Sequence, residues 1–278
     1  MEKPTALLNR YLFTQIGLDS GALTSLGVVM HTFPQPGLYR GVVLRGEDSV
    51  GSFLLEVAED SPQTQVDIDL AKVKAPAAEP CCDEASRAPY VVSPRGYAVF
   101  HVSSGPGGFS VVVGRGDPRK PEVLFDSREL LEGDLFAATI LRPGSYTVSN
   151  VLARGQARAE LVVAYPQPAK ERYAQPPVHT VTLTAKGFEP ERMRVAAAQS
   201  QVYHIKGRAR IRIALEKPDD GPLGPGRTHP GWHQPDVTEP PAPGKETDTP
   251  QQATRKASTP EQTKRTASRP RRARKSVR

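Results

Sequence analysis

The sequence predicts an all-β chain, and three observations carry that reading. Its 278 residues include 28 prolines and 23 glycines but only 6% aromatics, a density of turn formers that a helical protein would not tolerate. From Gly37 onward the apolar residues come in short runs, alternating or β-branched, bounded by Gly, Pro, Asp and Ser, the pattern of a sandwich or barrel. The charge is segregated: residues 251–278 hold ten Lys/Arg against the single acid Glu261, so the formal +7 of the chain belongs to its end and residues 1–250 sum to −2.

Taken in order, 1–27 reads as an N-terminal helical segment. Leu8, Leu12 and Ile16 fall on one face at i, i+4 and i+8, with Leu7 and Phe13 beside them, giving a short amphipathic helix over 5–16. It carries little basic charge for lipid, so it is expected to lid a sandwich end or pack on a sister subunit. Arg10, Gln15 and Asp19 interrupt it before a signal-peptide core can form. No stretch is long and apolar enough for a membrane span, which points to the cytoplasm.

Strands are predicted at 38–45, 51–58, 65–73, 97–103, 109–114, 122–126, 134–141, 145–151 and 157–164, then at 179–185, 191–196, 201–206 and 209–215. In 65–70, Val66, Ile68 and Leu70 alternate with Asp67 and Asp69, so that sheet is expected to have one wet face. The proline-rich 167–177 reads as a linker. Residues 218–278 hold 11 prolines and almost no large aliphatics, so they cannot bury enough apolar surface to offset the entropy of ordering, and a disordered tail is expected.

One phrase recurs, Pro36-Gly37-Leu38-Tyr39 and Pro143-Gly144-Ser145-Tyr146. The longer run 125–163, with Gly133, Phe136 and the second Pro-Gly-x-Tyr turn, resembles the C-terminal half of a cupredoxin, the plastocyanin-type β-sandwich. The stretch 186–205, opening on Gly187-Phe188-Glu189-Pro190, is similar to the N-terminal half of such a domain. The resemblance implies one or two antiparallel Greek-key sandwiches. It also implies the positions of the family's copper ligands, and they are vacated: Asn150 stands in the place of the cysteine, Ala153 in that of the second histidine, Gln156 in that of the methionine, and Phe109 or Ser110 near that of the first histidine. Thiolate and imidazole are what stabilise both copper states, so the resemblance implies a sandwich without blue copper.

The expected organisation is a cupredoxin-like sandwich over 62–166 and a second β unit over 178–217. The latter is too short to stand alone, and 28–61 is expected to pair with it.

Candidate chemistry is sparse. Cys81 and Cys82 are adjacent, which excludes a spaced disulfide framework; two thiols can chelate a soft metal or form a strained ring, but Asp83 and Glu84 beside them work against thiolate formation. His31, His101, His179, His204, His229 and His233 lack metal-ligand spacing, and His101 and His204 read as sheet-face residues. Gly105-Pro106-Gly107-Gly108 joins two strands with no following helix or Walker lysine, so it reads as a hairpin turn. Carboxylate pairs such as Asp67/Asp69 and Glu129/Glu132 are those of solvated strand faces and loops. No acid, base and electrophile assemble, so a non-enzyme with no cofactor is expected.

Partners are expected instead. His229 and His233 bracket Trp232, the one tryptophan, in a proline-flanked stretch that suits a short docking motif. The basic end, with Arg269, Arg271, Arg272, Arg274 and Lys275, offers phosphate-directed, sequence-blind attraction over 251–278 without aromatics for base stacking. Phosphorylation at Ser258, Thr266 or Ser268 would weaken it. The leading expectation is a non-catalytic scaffold or protein-interaction module, with homo-oligomerisation left open; nucleic-acid association through the tail and soft-metal or redox binding at the cysteines are the alternatives.

Overall fold

A computed structural model describes residues 16–74, 88–116, 122–153, 157–165 and 177–219. These residues are all-β, with no helix among them: β1 (Gly17–Asp19), β2 (Gly27–His31), β3 (Gly37–Arg45), β4 (Asp48–Val57), β5 (Gln65–Asp69), β6 (Tyr90–Val92), β7 (Tyr97–His101), β8 (Phe109–Arg115), β9 (Glu122–Asp126), β10 (Leu135–Thr139), β11 (Gly144–Asn150), β12 (Arg158–Ala164), β13 (His179–Thr184), β14 (Gly187–Glu189), β15 (Arg192–Ala196), β16 (Ser200–Ile205) and β17 (Ile211–Pro218). The expected helix over 5–16 lies outside the described residues except for Ile16. Most of the expected linker and all of the tail beyond Asp219 lie outside them too.

Three sheets form, in the orders β1-β17-β11-β12-β15, β14-β13-β16-β10-β2-β7-β5 and β6-β4-β3-β8-β9. Most neighbours are antiparallel, but β4 with β6, β5 with β7, β12 with β15 and β13 with β16 run parallel. Inward-facing Val43, Phe53, Leu55, Val111 and Val113 share one core with Val29, Ile68 and Phe100 of the seven-stranded sheet. Phe100 meets Phe53 at 6.2 Å and stacks on Phe125 at 5.3 Å, tying the two sheets together.

The expected pairing of 28–61 with 178–217 is not the one that forms. β3 and β4 bond to β6 and β8, within the first half of the chain. The physical reason is that the chain folds as two consecutive repeats with the same connectivity. β2, β3, β4, β5, β6, β7 and β8 correspond in order to β10, β11, β12, β13, β15, β16 and β17, and the parallel and antiparallel pairings match one for one. The two stretches similar to cupredoxin halves, 125–163 and 186–205, both fall in the second repeat rather than in separate sandwiches.

The duplication is also written in the local hydrogen bonding, at a constant offset of 107 residues. Asp19 and Asp126 each accept from the amide two residues on, at 2.9 Å. The hydroxyls of Ser20 and Ser127, both fully buried, accept the amides of Ile211 and Val111 at 3.1 and 3.0 Å. Leu23 and Leu130 bridge to Phe109 and Ala209. Gly37 and Gly144 hold φ of +142° and +152°, a conformation that a Cβ disfavours, and the hydroxyls of Tyr39 and Tyr146 donate to the carbonyls of Gln35 and Arg142, four residues upstream in each case.

The repeats exchange their first strands: β1 completes the sheet of the second repeat by pairing with β17, and β9 completes that of the first by pairing with β8. They join through β2 and β10, whose antiparallel register sets Val29 opposite Phe136, the same position in both repeats. A pseudo-two-fold axis therefore passes through that pair, as it would in an isologous dimer.

Candidate functional site

The duplication allows each surface to be read against its counterpart in the same molecule. Positions that both repeats need for folding should be alike, and positions that differ systematically are free to serve something else.

The outer face of the sheet β6-β4-β3-β8-β9 is where they differ most. Alternation on β3 turns Tyr39, Gly41 and Val43 inward and Leu38, Arg40, Val42 and Leu44 outward. On β4 and β8 it turns Leu54 and Val112 outward. Register carries these into rows: Leu54, Arg40, Gly114 and Val123 lie side by side across four strands, and Ser52, Val42 and Val112 form the next row.

In the second repeat the same registers put Ser145 where Leu38 stands, Ser149 where Val42 stands, Glu160 where Leu54 stands, Arg212 where Val112 stands and Arg194 where Val91 stands. Five apolar positions thus become polar or charged. The exchange runs the other way at Glu56, matched by Val162; Arg40 and its match Thr147 are polar in both repeats, and Leu44 and Val151 are apolar in both. Leu38 and Val123 are each 54% exposed, a poor place for large aliphatics in a sheet that needs them only on its inner side.

The face is concave. Gly114 has no side chain in the middle of its row, and the β8–β9 register shifts between Val113 and Gly114, bending the sheet edge. Between Leu38, Arg40, Leu54, Val112 and Val123 this leaves a groove of about 190 Å³. Among the described residues its lining includes Arg40 and Arg115 and no Asp or Glu. Arg115 is held by the Gln35 side-chain oxygen at 2.7 Å and lies 3.6 Å from Glu122, just outside the groove.

The outer face of the seven-stranded sheet behaves differently. Val28, Met30, Leu135, Ala137 and Val202 form a half-buried strip across the pseudo-two-fold axis, with His101 and His204 at matching positions on β7 and β16. Both repeats contribute alike, so nothing there sets one repeat apart.

Most of the sequence-expected site residues cannot be placed in the fold. Cys81, Cys82, His229, Trp232, His233, Arg269, Arg271, Arg272, Arg274 and Lys275 lie outside the described residues. Asn150 is buried and its amide is fully engaged: it donates to the carbonyl of Arg208 at 3.1 Å and accepts the amides of Leu152 and Arg210 at 3.1 and 3.0 Å. Phe109 and Ser110 are on β8, in a different sheet from Asn150 on β11; Ala153 follows β11 and Gln156 is outside the described residues. Among the described residues no three His, Cys, Asp or Glu side chains gather to hold a metal ion, and no helix is long and apolar enough to cross a membrane.

Two polar features escaped the sequence reading. Asp69, expected on a wet face, is buried, because the turn after β7 folds over it: the Ser103 hydroxyl donates to it at 2.5 Å, the Ser103 and Ala71 amides at 3.1 and 3.2 Å, and Lys72 lies 3.1 Å away. Burial works against its charge, but these donors outweigh that and hold the carboxyl below its ordinary range. His31 Nδ1 meets Asp134 at 2.5 Å beside the β2–β10 junction, with the ring set between Phe33 and Phe125. Neither pair is recognisable from spacing, since its members are 34 and 103 residues apart.

Comparison with family models, curated proteins and solved structures finds no match. The second repeat is therefore the reference against which the first is judged.

Proposed function

We propose that this chain is a non-catalytic protein-interaction module, a cytoplasmic β-sandwich scaffold that presents the outer face of its first repeat to a protein partner. The observation that carries this is the exchange of apolar for polar residues at five matched positions, with the inward residues of the same strands remaining apolar in both repeats. Folding needs the inner face of each sheet; it does not need Leu38, Val42, Leu54, Val91 and Val112 on the outside. Burying such side chains against a partner returns about 25 cal/mol per Å² of apolar surface.

A finer fold assignment belongs to the same proposal: each repeat is a cupredoxin-like unit. Its support is the Pro-Gly-x-Tyr corner present twice and the predominance of antiparallel pairing. The non-catalytic reading rests on the lack of any nucleophile, base and electrophile pattern in the sequence.

The test is site-specific photo-crosslinking in the cells that make the protein, with the probe at Leu38 and, as a matched control, at Ser145. A discrete adduct from Leu38 that is missing from Ser145, and that disappears in the Leu54→Glu/Val112→Arg variant, supports the reading. Those substitutions copy residues the second repeat already carries, so thermal stability should change little. Equal adducts from both positions, or a Leu38 adduct untouched by the double substitution, would dispose of it.

The basic end supports a second reading, nucleic-acid association. Ten cations on 28 residues with one acid predict binding that falls steeply with salt and is abolished by deleting 251–278; binding that survives either would remove it.

A further inference from the structure

We infer that a small apolar pocket at the open end of the second repeat, between β1 and the β10–β11 connection, is the docking place of the chain's own segment preceding Ile16, with the Leu12 side chain entering it. The pocket measures 20 Å³, room for about one methyl group. Leu18, Leu26, Ile140, Leu141 and Ile213 are among its walls.

The first repeat shows what fills this place. At the constant offset of 107 residues, Phe125 stands where Leu18 does, Phe33 where Ile140 does and His31 where Ala138 does. The His31 ring lies 4.4 Å from Phe33 and 4.7 Å from Phe125, and Phe33 continues to Tyr39 at 5.0 Å. Both phenylalanines are buried, so rings close that end of the first sandwich. Leucine, isoleucine and alanine supply less volume at the same three positions, and the pocket opens there.

The backbone at Leu26 is a second, independent sign. Leu26 has φ of +74°, and its counterpart Gly133 has φ of +96°. The turn before β10 uses the residue suited to that conformation, whereas the turn before β2 holds a leucine against the steric cost of its Cβ. That leucine is a wall of the pocket.

The occupant follows from where the chain enters. Gly17 belongs to the lining, and the Ile16 carbonyl beside it accepts the Leu215 amide at 2.9 Å. Ile16 lies two residues before buried Leu18, hence on the same side of the chain, yet it is 66% exposed. The segment before it therefore leaves from the rim and has no gap to cross. Leu12 and Leu8 precede Ile16 by four and eight residues; at helical pitch they continue its apolar row in steps of about 5.4 Å. Attachment at the rim also gives this segment an effective concentration that a second copy of the chain cannot match.

The experiment uses the full-length chain carrying Cys81→Ser and Cys82→Ser, with cysteines introduced in pairs: Leu12→Cys with Leu141→Cys at the pocket, and Leu12→Cys with Pro34→Cys at the matched place on the first repeat. Equilibration in a glutathione redox buffer, followed by gel filtration and mapping of linked peptides, reads how often each pair meets. The 12–141 link is expected within monomers and about tenfold in excess of the 12–34 link. Two further substitutions copy the first or second repeat: Ile140→Phe fills the pocket as Phe33 does, and Leu26→Gly removes a wall as Gly133 does. Each should lower the 12–141 link about fourfold, the equivalent of one buried methyl group, with thermal denaturation confirming that the variants are folded. Equal links at both places, or none at either, overturn the inference. A 12–141 link found only between chains overturns it in favour of a second copy. A 12–141 link unmoved by both further substitutions shows a segment that passes the pocket without entering it, which also overturns the inference. None of these outcomes touches the interaction-face reading, whose residues do not line this pocket.

Discussion

Gly41 and Phe53 face each other across β3 and β4, and their counterparts across β11 and β12 are Val148 and Ala159. The two repeats have divided the same space in opposite ways: a residue with no side chain beside a ring in one, two small aliphatics in the other. A Cβ added at Gly41 would overlap three carbons of the Phe53 ring, which cannot retreat freely because it lies edge-on to Tyr90 at 5.8 Å and against Phe100 at 6.2 Å. Gly41→Val is therefore overpacked, at about 2 to 3 kcal/mol. Phe53→Ala leaves a cavity in a site only 6% exposed, at about 4 kcal/mol.

Combining them installs the pair that the second repeat already uses. Valine returns three carbons and the ring removes six, so the double variant lacks three, worth about 2 to 3 kcal/mol at roughly 0.8 per carbon. The singles together cost about 6 to 7, so the two sites are expected to couple by at least about 2 kcal/mol. Urea denaturation followed by circular dichroism, on the parent chain and the three variants, gives the cycle directly. In thermal scans Gly41→Val alone should lower the midpoint by about 4 to 10 °C. Additive costs, within about 0.5 kcal/mol, would refute the claim that these residues share one volume and with it the alignment of β3–β4 on β11–β12.

Other outcomes follow from the same structure. Ser20→Ala and Ser127→Ala each strip a fully buried acceptor from a strand amide and should each cost about 1 to 3 kcal/mol in urea, by similar amounts because the two sites are equivalent. Tyr39→Phe and Tyr146→Phe should each lose about 1 to 2 kcal/mol, measured the same way, since a carbonyl loses its donor. Burial raises the pKa of both hydroxyls, chiefly by desolvation; the unfolded tyrosines ionise first, so stability should decline as pH rises above about 10, and less steeply in the Phe variants. Asp69 works in the opposite direction: its carboxyl is held down in the folded state, so its contribution is present above the ordinary carboxylate value and is lost as pH falls below about 3.9. In Asp69→Asn that part of the acid-induced loss should vanish from a pH series of urea midpoints.

Much of the fold was legible because each long strand announces itself either through alternation or as a short β-branched or aliphatic run bounded by turn formers. Tyr146 and Val148 among Ser145, Thr147 and Ser149, and Ala159 and Leu161 beside Arg158 and Glu160, show a period of two in the sequence and again in burial, whereas Val42–Leu44, Phe53–Leu55 and Val111–Val113 are unbroken apolar runs that alternate only in burial. The strands missed were β1, β6 and β14, each three residues long, too short for a period to register, and β2, whose Gly27–His31 follows a run that reads as helical. Asp69 was misplaced because alternation along one strand cannot see a turn 34 residues away folding over it. The repeat left a clearer trace than the one phrase recognised. Asp-Ser-x-x-Leu at 19–23 and again at 126–130, followed in each case by Pro-Gly-x-Tyr, gives two motifs at one constant offset. Almost everything between those motifs has changed, because a strand needs only an apolar residue at an inward position, whereas a buried hydroxyl bonded to an amide, or a turn at positive φ, tolerates few alternatives.

That contrast separates what the fold demands from what it leaves open. Where the repeats agree, the residue satisfies a backbone group, turns the chain or fills the core, and each agreement has a bond or a buried ring to account for it. The strand exchange adds a further demand, since Asp19 and Ser20 bond to Arg210 and Ile211 of the second repeat and Ser127 to Val111 of the first. Neither repeat can drift in those positions without cost to its partner. The outer sheet faces lie under no such constraint. A face used for nothing is free to gain polar residues, as that of the second repeat has at Glu160, Arg194 and Arg212 while keeping Val151 and Val162. The first repeat keeps leucine and valine there around two arginines, and the energy of folding supplies no reason for it; the proposed partner would.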